Sequence, residues 1–396
     1  MSISAATSCS ETEPKNGQKP PLRALTPRPR LLGRDRPSGP RVRALVATFL
    51  FAVATSVCAS KDENAELVGL APFAATPAPL SDNKSVALIG NETVCVIESF
   101  EFRILCTDSN GTPIGVFGAQ GEGPAEFLNP VHLFRDTGAS VAVYDRRRAR
   151  LTVFEPTGAL LSDITLRGPY WIHGAWGTVL YGEVGLGMGP RGPEVEIQLL
   201  DRSSGDIVWQ RSIYGIAPTE CGSVGTGMPR PNGGYVFWAC DSDLVFLDDR
   251  NAETAKVVAM PTYSGELPNE RDVEAYLYDM ARLGGAMSLP QSAMEPYAMG
   301  FRERPKRWFH GSRTFAYDGY GRLWVATTRN RDTFSYFEVW VGTEYAGAVQ
   351  IRDRLVGYDI LGSTLVALVE RQPDQNGIAP RGIDWYDIAD VEIGRN

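Results

Sequence analysis

Lysine is scarce in this chain: six occur among 396 residues, against 41 glycines, 27 prolines, 16 phenylalanines, 15 tyrosines and 8 tryptophans. That balance suits many short strands joined by tight turns better than it suits helices. Histidine is rarer still, with three residues, so any imidazole chemistry has to be assembled from these alone. The absence of a Cys-x-x-Cys spacing speaks against a thiolate zinc site or a thioredoxin-type motif. No G-x-S-x-G occurs, which removes the nucleophile-elbow signature but leaves open a triad defined only by geometry. No pair of carboxylates has a spacing that fixes both about one substrate, so acid–base chemistry finds no assignment.

With 43% hydrophobic residues the chain can bury a large core, and its length suggests two domains or one large β or α/β domain. Met1 to Pro40 is rich in Pro, Ser and Arg without apolar periodicity, and reads as disordered or as sequence upstream of a misplaced start codon. Arg41 and Arg43 then lead into the apolar run Ala44 to Ala59, which ends in Val57-Cys58-Ala59. Residues 41–59 are therefore expected to be a signal peptide. As a helix, sixteen residues at ~1.5 Å each would span roughly 24 Å, short of a ~30 Å hydrocarbon core. Cleavage near Ala59 would deliver the protein to the periplasm or the exterior. Lipidation at Cys58 fits less well, because Thr55-Ser56-Val57 departs from the usual lipobox.

The leader holds 9 basic and 3 acidic residues, leaving 30 basic and 44 acidic beyond it, a net charge of about −14. So acidic a chain argues against nucleic acid or anionic membrane as the general partner. No second apolar run is long enough to span a bilayer, so the mature chain is expected to lack a transmembrane segment. It is also expected to be a monomer. Four cysteines remain after cleavage, and export permits disulfides. Cys95 and Cys106 flank two strand-like runs around a turn, which would set them opposite each other, and Cys221 with Cys240 would form a second pair. Each bridge would contribute roughly 2–4 kcal/mol.

Beyond a Pro/Ala-rich linker, Ala71 to Leu80, short alternating strands recur between turn signals every 8 to 12 residues. Pro130 to Leu166 parses into four strands: Val131–Phe134, Ser140–Tyr144, Arg150–Phe154 and Leu160–Leu166. A four-stranded antiparallel unit of this length has the size of a propeller blade. Pro130, Gly138, Val141, Val143, Asp145, Arg150, Val153, Phe154 and Gly158 resemble the NHL repeat, and Phe117 to Pro130 resembles its inter-blade connector. Asp318 to Val325 is similar to the D-x-x-G-x-L-W-V strand pair of bacterial propellers. The resemblance implies an all-β, six-bladed β-propeller of the NHL-like (TolB-like) superfamily, of an exported bacterial type.

On that reading residues 60–84 form a linker with a possible ring-closing strand, and residues 85–390 form the propeller. The blades fall at Ser85–Gly118, Pro130–Leu166, Tyr170–Ile213, Gly225–Met260, Arg313–Ile351 and Arg354–Ile388. The last has three strands, and its fourth is expected from Glu66–Leu70, or alternatively Val86–Ile89. Pro268 to Arg304 breaks the pattern: Val273, Tyr276, Leu277, Met280 and Leu283 stand at helical spacing, stopped by Gly284-Gly285. A helical insertion between blades four and five could cover one mouth of the channel.

Propellers usually bind ligands on the face built from the connections into the inner strands and the loops between second and third strands. Arg146, Arg147 and Arg148, with Arg329 and Arg331, fall in such loops and could select a carboxylate, phosphate or sulfate through forked hydrogen bonds. A solvated turn is the plainer account of the run. His132, His173 and His310 fall at or just before inner strands and could hold a divalent metal ion, as the resemblance to NHL-type lyases implies. His132 stands two places after Pro130, however, which turns it to the other face of its strand. The leading expectation is a non-catalytic binding or scaffold propeller for a protein, peptide or glycan, without a cofactor. The alternative is a metal-dependent lyase or lactonase using the three histidines.

Overall fold

The computed structural model describes residues 67–79, 81, 84–167, 171–189, 192–213, 216, 224–283, 291–311, 313–329, 334–375 and 378–393. The expected leader and signal peptide lie outside the described residues. Strands β1 (Leu67–Gly69) and β2 (Ala74–Ala78) precede the first blade, which comprises β3 (Val86–Ile89), β4 (Thr93–Glu98), β5 (Arg103–Asp108) and β6 (Pro113–Phe117). The connector carries a short parallel pair, β7 (Ala119–Gln120) and β8 (Glu126–Phe127). Blade two is β9 (Pro130–Arg135), β10 (Val141–Asp145), β11 (Arg150–Phe154) and β12 (Leu160–Thr165). Blade three is β13 (Trp171–Trp176), β14 (Val179–Gly189), β15 (Gly192–Asp201) and β16 (Ile207–Ser212). Blade four is β17 (Val224–Pro229), β18 (Tyr235–Ala239), β19 (Asp243–Leu247) and β20 (Lys256–Ala259).

Helices α1 (Glu270–Leu283) and α2 (Gln291–Arg302) follow. Blade five is then β21 (Phe315–Tyr317), β22 (Arg322–Thr327), β23 (Phe334–Val341) and β24 (Glu344–Arg352), and blade six begins with β25 (Arg354–Leu361), β26 (Thr364–Glu370) and β27 (Arg381–Asp387). Each blade is an antiparallel meander, and the whole is an all-β, six-bladed propeller with a minor helical insertion.

Blade two shows why its sequence takes this form. Alternate residues of a strand point to opposite faces, and both faces of a blade are covered by its neighbours. Leu133, Val141, Val143 and Phe154 pack with Ile97, Ile104 and Phe127 on the blade-one side. Phe134, Ala142, Tyr144, Leu151 and Val153 pack with Ile172, Leu180 and Leu200 on the blade-three side. The middle strands are consequently buried at every position, whereas the outermost strand, β12, is largely exposed. Gly158 turns the chain into β12 at φ +100°, a conformation costly for other residues, and an added Cβ would press on Phe117 at 3.0 Å.

Ring closure differs from the sequence expectation. The fourth strand of blade six is β2, from the segment read as linker, with Thr76 opposite Ile383. The stretch expected to close the ring instead forms β1, which adds parallel to β24 as a fifth strand of blade five. Val86–Ile89 is the inner strand of blade one. Prolines concealed β2, but Pro77 sits in an outermost strand, where a missing N–H breaks no interior ladder.

Cys95 and Cys106 face each other across β4 and β5 and form a disulfide with a Cα–Cα distance of 4.1 Å. Cys240 is also disulfide-bonded. Cys221, expected as its partner, lies outside the described residues.

The insertion holds two helices where the sequence showed one. Asn269 starts α1 with a reciprocal cap: the Asp272 backbone N–H donates to Asn269 Oδ1 at 2.9 Å, and the Asn269 N–H donates to Asp272 Oδ2 at 3.2 Å. Tyr276 of α1 stacks on Phe301 of α2 with ring centres 4.3 Å apart, and Arg302 pairs with Glu270 at 2.9 Å. Among the described residues no helix is long and apolar enough to cross a membrane.

Candidate functional site

In a four-stranded meander the inner strands all start on one face, beside the loops joining second to third strands. On that face lies a cavity of about 810 Å³, within the roughly 300–1,000 Å³ of small-ligand sites. Residues of α1, α2 and the exit from the insertion form part of its wall. The rest comes from the start of blade one, the β22 end in blade five and the starts of β25 and β27 in blade six.

Among its described lining residues, basic side chains outnumber acidic ones. Lys84, Lys306, Arg307, Arg354 and Arg381 line the cavity, against Asp272, Glu274 and Glu370. Arg354 and Arg381 both converge on Glu370, each at 3.4 Å. Lys306 is buried between Asp272 at 3.1 Å and Glu266 at 2.9 Å, which ties α1 to the strand-ward leg of the insertion. Arg307 is exposed and lies over the Trp238 ring, 4.8 Å from its centre. Apolar wall comes from Phe100, which is 68% exposed on the second turn of blade one, and from the edge of Val356, with Phe309 fully buried behind it.

The histidines fall in two places. His310 lines the large cavity, and its Nε2 lies 3.1 Å from the Leu355 carbonyl oxygen, to which a protonated Nε2 donates. His132 and His173 lie edge to face with ring centres 6.0 Å apart, in a small pocket of about 40 Å³ shared with Arg313 and Tyr358. His173 Nε2 stands 3.6 Å from Glu183 Oε2. Burial works against the Glu183 carboxylate, but the His173 contact and the Arg307 charge hold it below its ordinary range. Beside this pocket Asp359 pairs with Arg313 at 2.9 Å, faces Arg135 at 3.7 Å, and accepts the Leu88 N–H at 2.9 Å. Among the described residues no group of three or more His, Cys, Asp or Glu side chains is placed to hold a metal ion.

The arginine run reaches to blade three and to the connector that precedes blade two. The Arg146 guanidinium stacks on Trp171, 3.2 Å from the ring centre. Arg148 donates to the Gly123 and Glu126 carbonyls of the connector at 3.3 and 3.5 Å, while Arg147 is exposed. Arg329 lies over Tyr336 at 4.8 Å. Arg331 lies outside the described residues. None of the described members of this set lines the large cavity. Of the cavity's own basic residues, Lys306 and Arg307 belong to the basic stretch Arg302 to Arg307, whereas Lys84, Arg354 and Arg381 are scattered along the chain. The positional rule does find them when it is applied to every inner-strand start and every second-to-third loop.

No protein-family model matches the chain, and no curated protein matches it. Solved structures do. A DUF4221-family protein from Bacteroides vulgatus is similar with TM-score 0.48 and 11% identity, over 80% of this chain and 97% of that one. The WD40 repeats of RRP9 are similar with TM-score 0.47 and 10% identity, over 81% of this chain and 100% of theirs.

Proposed function

We propose that the protein is a non-catalytic binding propeller, exported from a bacterial cell, that engages a protein, peptide or glycan through its loop face. The observation that carries this reading is the cavity of about 810 Å³ beside the helical insertion, on the face where propellers commonly bind. A plain ring of blades needs no such insertion, and here its helices supply Asp272, Ala275, Tyr276 and Phe301 to the wall. The Cys95–Cys106 disulfide supports export, since such bonds persist in oxidising compartments. Kinship with NHL-like propellers rests on the Pro130–Leu166 unit and its connector.

The test is partner capture by the protein expressed with its own leader, beside an Ala275→Trp variant that fills the cavity from α1. Loss of specific partners from the variant is expected. Identical partner sets would remove the cavity from the account.

A further inference from the structure

We infer that the neck of the central channel is a binding site for a small oxyanion, held between His132, His173 and Arg313. This site is separate from the large cavity, and the binding reading above does not depend on it.

The small pocket of about 40 Å³ is lined from the inner strands of five blades: Val86 of β3, His132 of β9, His173 of β13, Arg313 at the entry to β21 and Tyr358 of β25. Inner strands of non-neighbouring blades meet only around the axis of a propeller, so the pocket lies in the channel. Irregular pairing aims the histidines there. Pro130 stands opposite Asp145 and His132 opposite Tyr144, which leaves Val131 as an extra residue of β9. Ile172 and Gly174 likewise pair with the consecutive residues Gly182 and Tyr181, which leaves His173 extra in β13. An extra residue offsets the two-residue alternation of a strand and re-aims its side chains. His132 therefore lines the channel although its distance from Pro130 assigns it to the other face.

Arg313 brings the charge. Its Nη1 donates to Asp359 Oδ1 at 2.9 Å and to the Tyr358 carbonyl oxygen at 3.3 Å, and the Tyr181 hydroxyl stands against the same side chain. Its Nε and the Nε2 of His173 are buried without a hydrogen-bond partner, the Glu183 carboxylate standing 3.6 Å from the latter. A buried guanidinium N–H in this condition calls for an acceptor. Arg135 also faces Asp359, at 3.7 Å, and donates to the Leu88 carbonyl oxygen. Two guanidinium groups thus share one carboxylate, and neither meets a second among the described residues. The other carboxylate nearby, Glu183, is balanced by His173 and the Arg307 charge.

This surplus selects an anion over a cation. The volume selects a small one, since about 40 Å³ lies far below the roughly 300–1,000 Å³ of small-molecule pockets. An oxyanion offers several acceptor oxygens to charged donors that arrive from different strands, where a halide offers one centre. Lys84 lines both this pocket and the large cavity. The oxyanion is accordingly a free ion or the charged end of a molecule whose body occupies the cavity.

With three histidines in the chain, single substitutions assign every imidazole signal in nitrogen-edited NMR spectra, and His310, in the large cavity, serves as internal reference. Titration of the whole protein with inorganic phosphate at constant pH and ionic strength should move the His132 and His173 rings saturably and leave His310 in place. Trimethyl phosphate, uncharged, should move neither. Phenyl phosphate separates the two sources: binding no tighter than that of phosphate identifies a free ion, and tighter binding that also moves His310 identifies the end of a cavity ligand. Arg313→Lys keeps a cation opposite Asp359 but lacks the Nε donor, and should weaken phosphate about tenfold or more. His173→Gln, read at His132, should weaken it too and keeps the test open if Arg313→Lys lowers the melting temperature. No saturable movement of the two rings at millimolar phosphate, equal movement by trimethyl phosphate, or unchanged affinity in both variants overturns the proposal. Partner capture that depends on Ala275 would stand in either case.

Discussion

Trp308 donates its indole N–H to the buried carboxyl of Glu338 at 3.2 Å, and Thr262 donates its hydroxyl to the same oxygen. Thr262 belongs to the leg entering the helical insertion and Trp308 to the leg leaving it, so one side chain of β23 fastens both. Tyr263 closes the same joint, its ring edge-on to Trp308 at 5.5 Å.

Burial pushes the Glu338 carboxyl up from 4.5 to about 7, although both donors and the Arg329 charge act the other way. Between these values the folded protein keeps a proton that the unfolded chain has lost, so stability falls as pH rises. The contribution is present in full below 4.5 and is lost as pH passes about 7. Its size is about 3 kcal/mol, at roughly 1.4 kcal/mol per tenfold change in proton affinity. Urea denaturation across this window should show the decline in the native protein. Glu338→Gln, which keeps an acceptor for both donors but cannot ionise, should abolish that part of it.

Lys306 and Asp272 form a buried pair at the base of the insertion, both nearly inaccessible. Lys306→Met strands a buried carboxylate and should cost about 3–5 kcal/mol, whereas the double variant Lys306→Met/Asp272→Leu should recover most of it. A double-mutant cycle in chemical denaturation measures the difference. Faster amide exchange in α1 should accompany the single variant.

Asp145 organises the start of blade two from the end of β10. Its carboxylate accepts the backbone N–H groups of Leu128, Asn129, Arg147 and Arg148 at 2.6 to 3.3 Å. Asp145→Ala should destabilise by about 1–3 kcal/mol, since these donors lose a charged acceptor. Asp145→Asn should cost less, and thermal denaturation ranks the two.

Replacement of both Cys95 and Cys106 by Ala should lower stability by about 2–4 kcal/mol, chiefly by releasing the unfolded chain. The bridge joins facing residues of one hairpin, so the native circular dichroism should persist below the transition.

Blade two was legible because each of its signals is local: a turn every few residues, middle strands apolar on both faces, and Asp145 and Gly158 at positions that demand them. The closing strand was not, because Ala74–Ala78 acquires its role only by pairing with residues some 300 positions away, and its prolines read as linker. Helix α1 announced itself by period, whereas α2 follows Gly-rich sequence and contains Pro296, both of which argue for a break. The cavity was hidden for a third reason. Arginines that stand together, such as Arg146 to Arg148, are conspicuous in sequence, yet here Arg146 stacks on Trp171 of blade three, Arg147 is exposed and Arg148 holds the connector, whereas Lys84, Arg354 and Arg381 stand far apart in the chain and meet only in the ring.

The most direct test of the central claim is mass-spectrometric comparison of partners captured by the native protein and by Ala275→Trp at matched thermal stability. The account predicts that specific partners are lost when the cavity is filled. Retention of the same partners at the same abundance would contradict it.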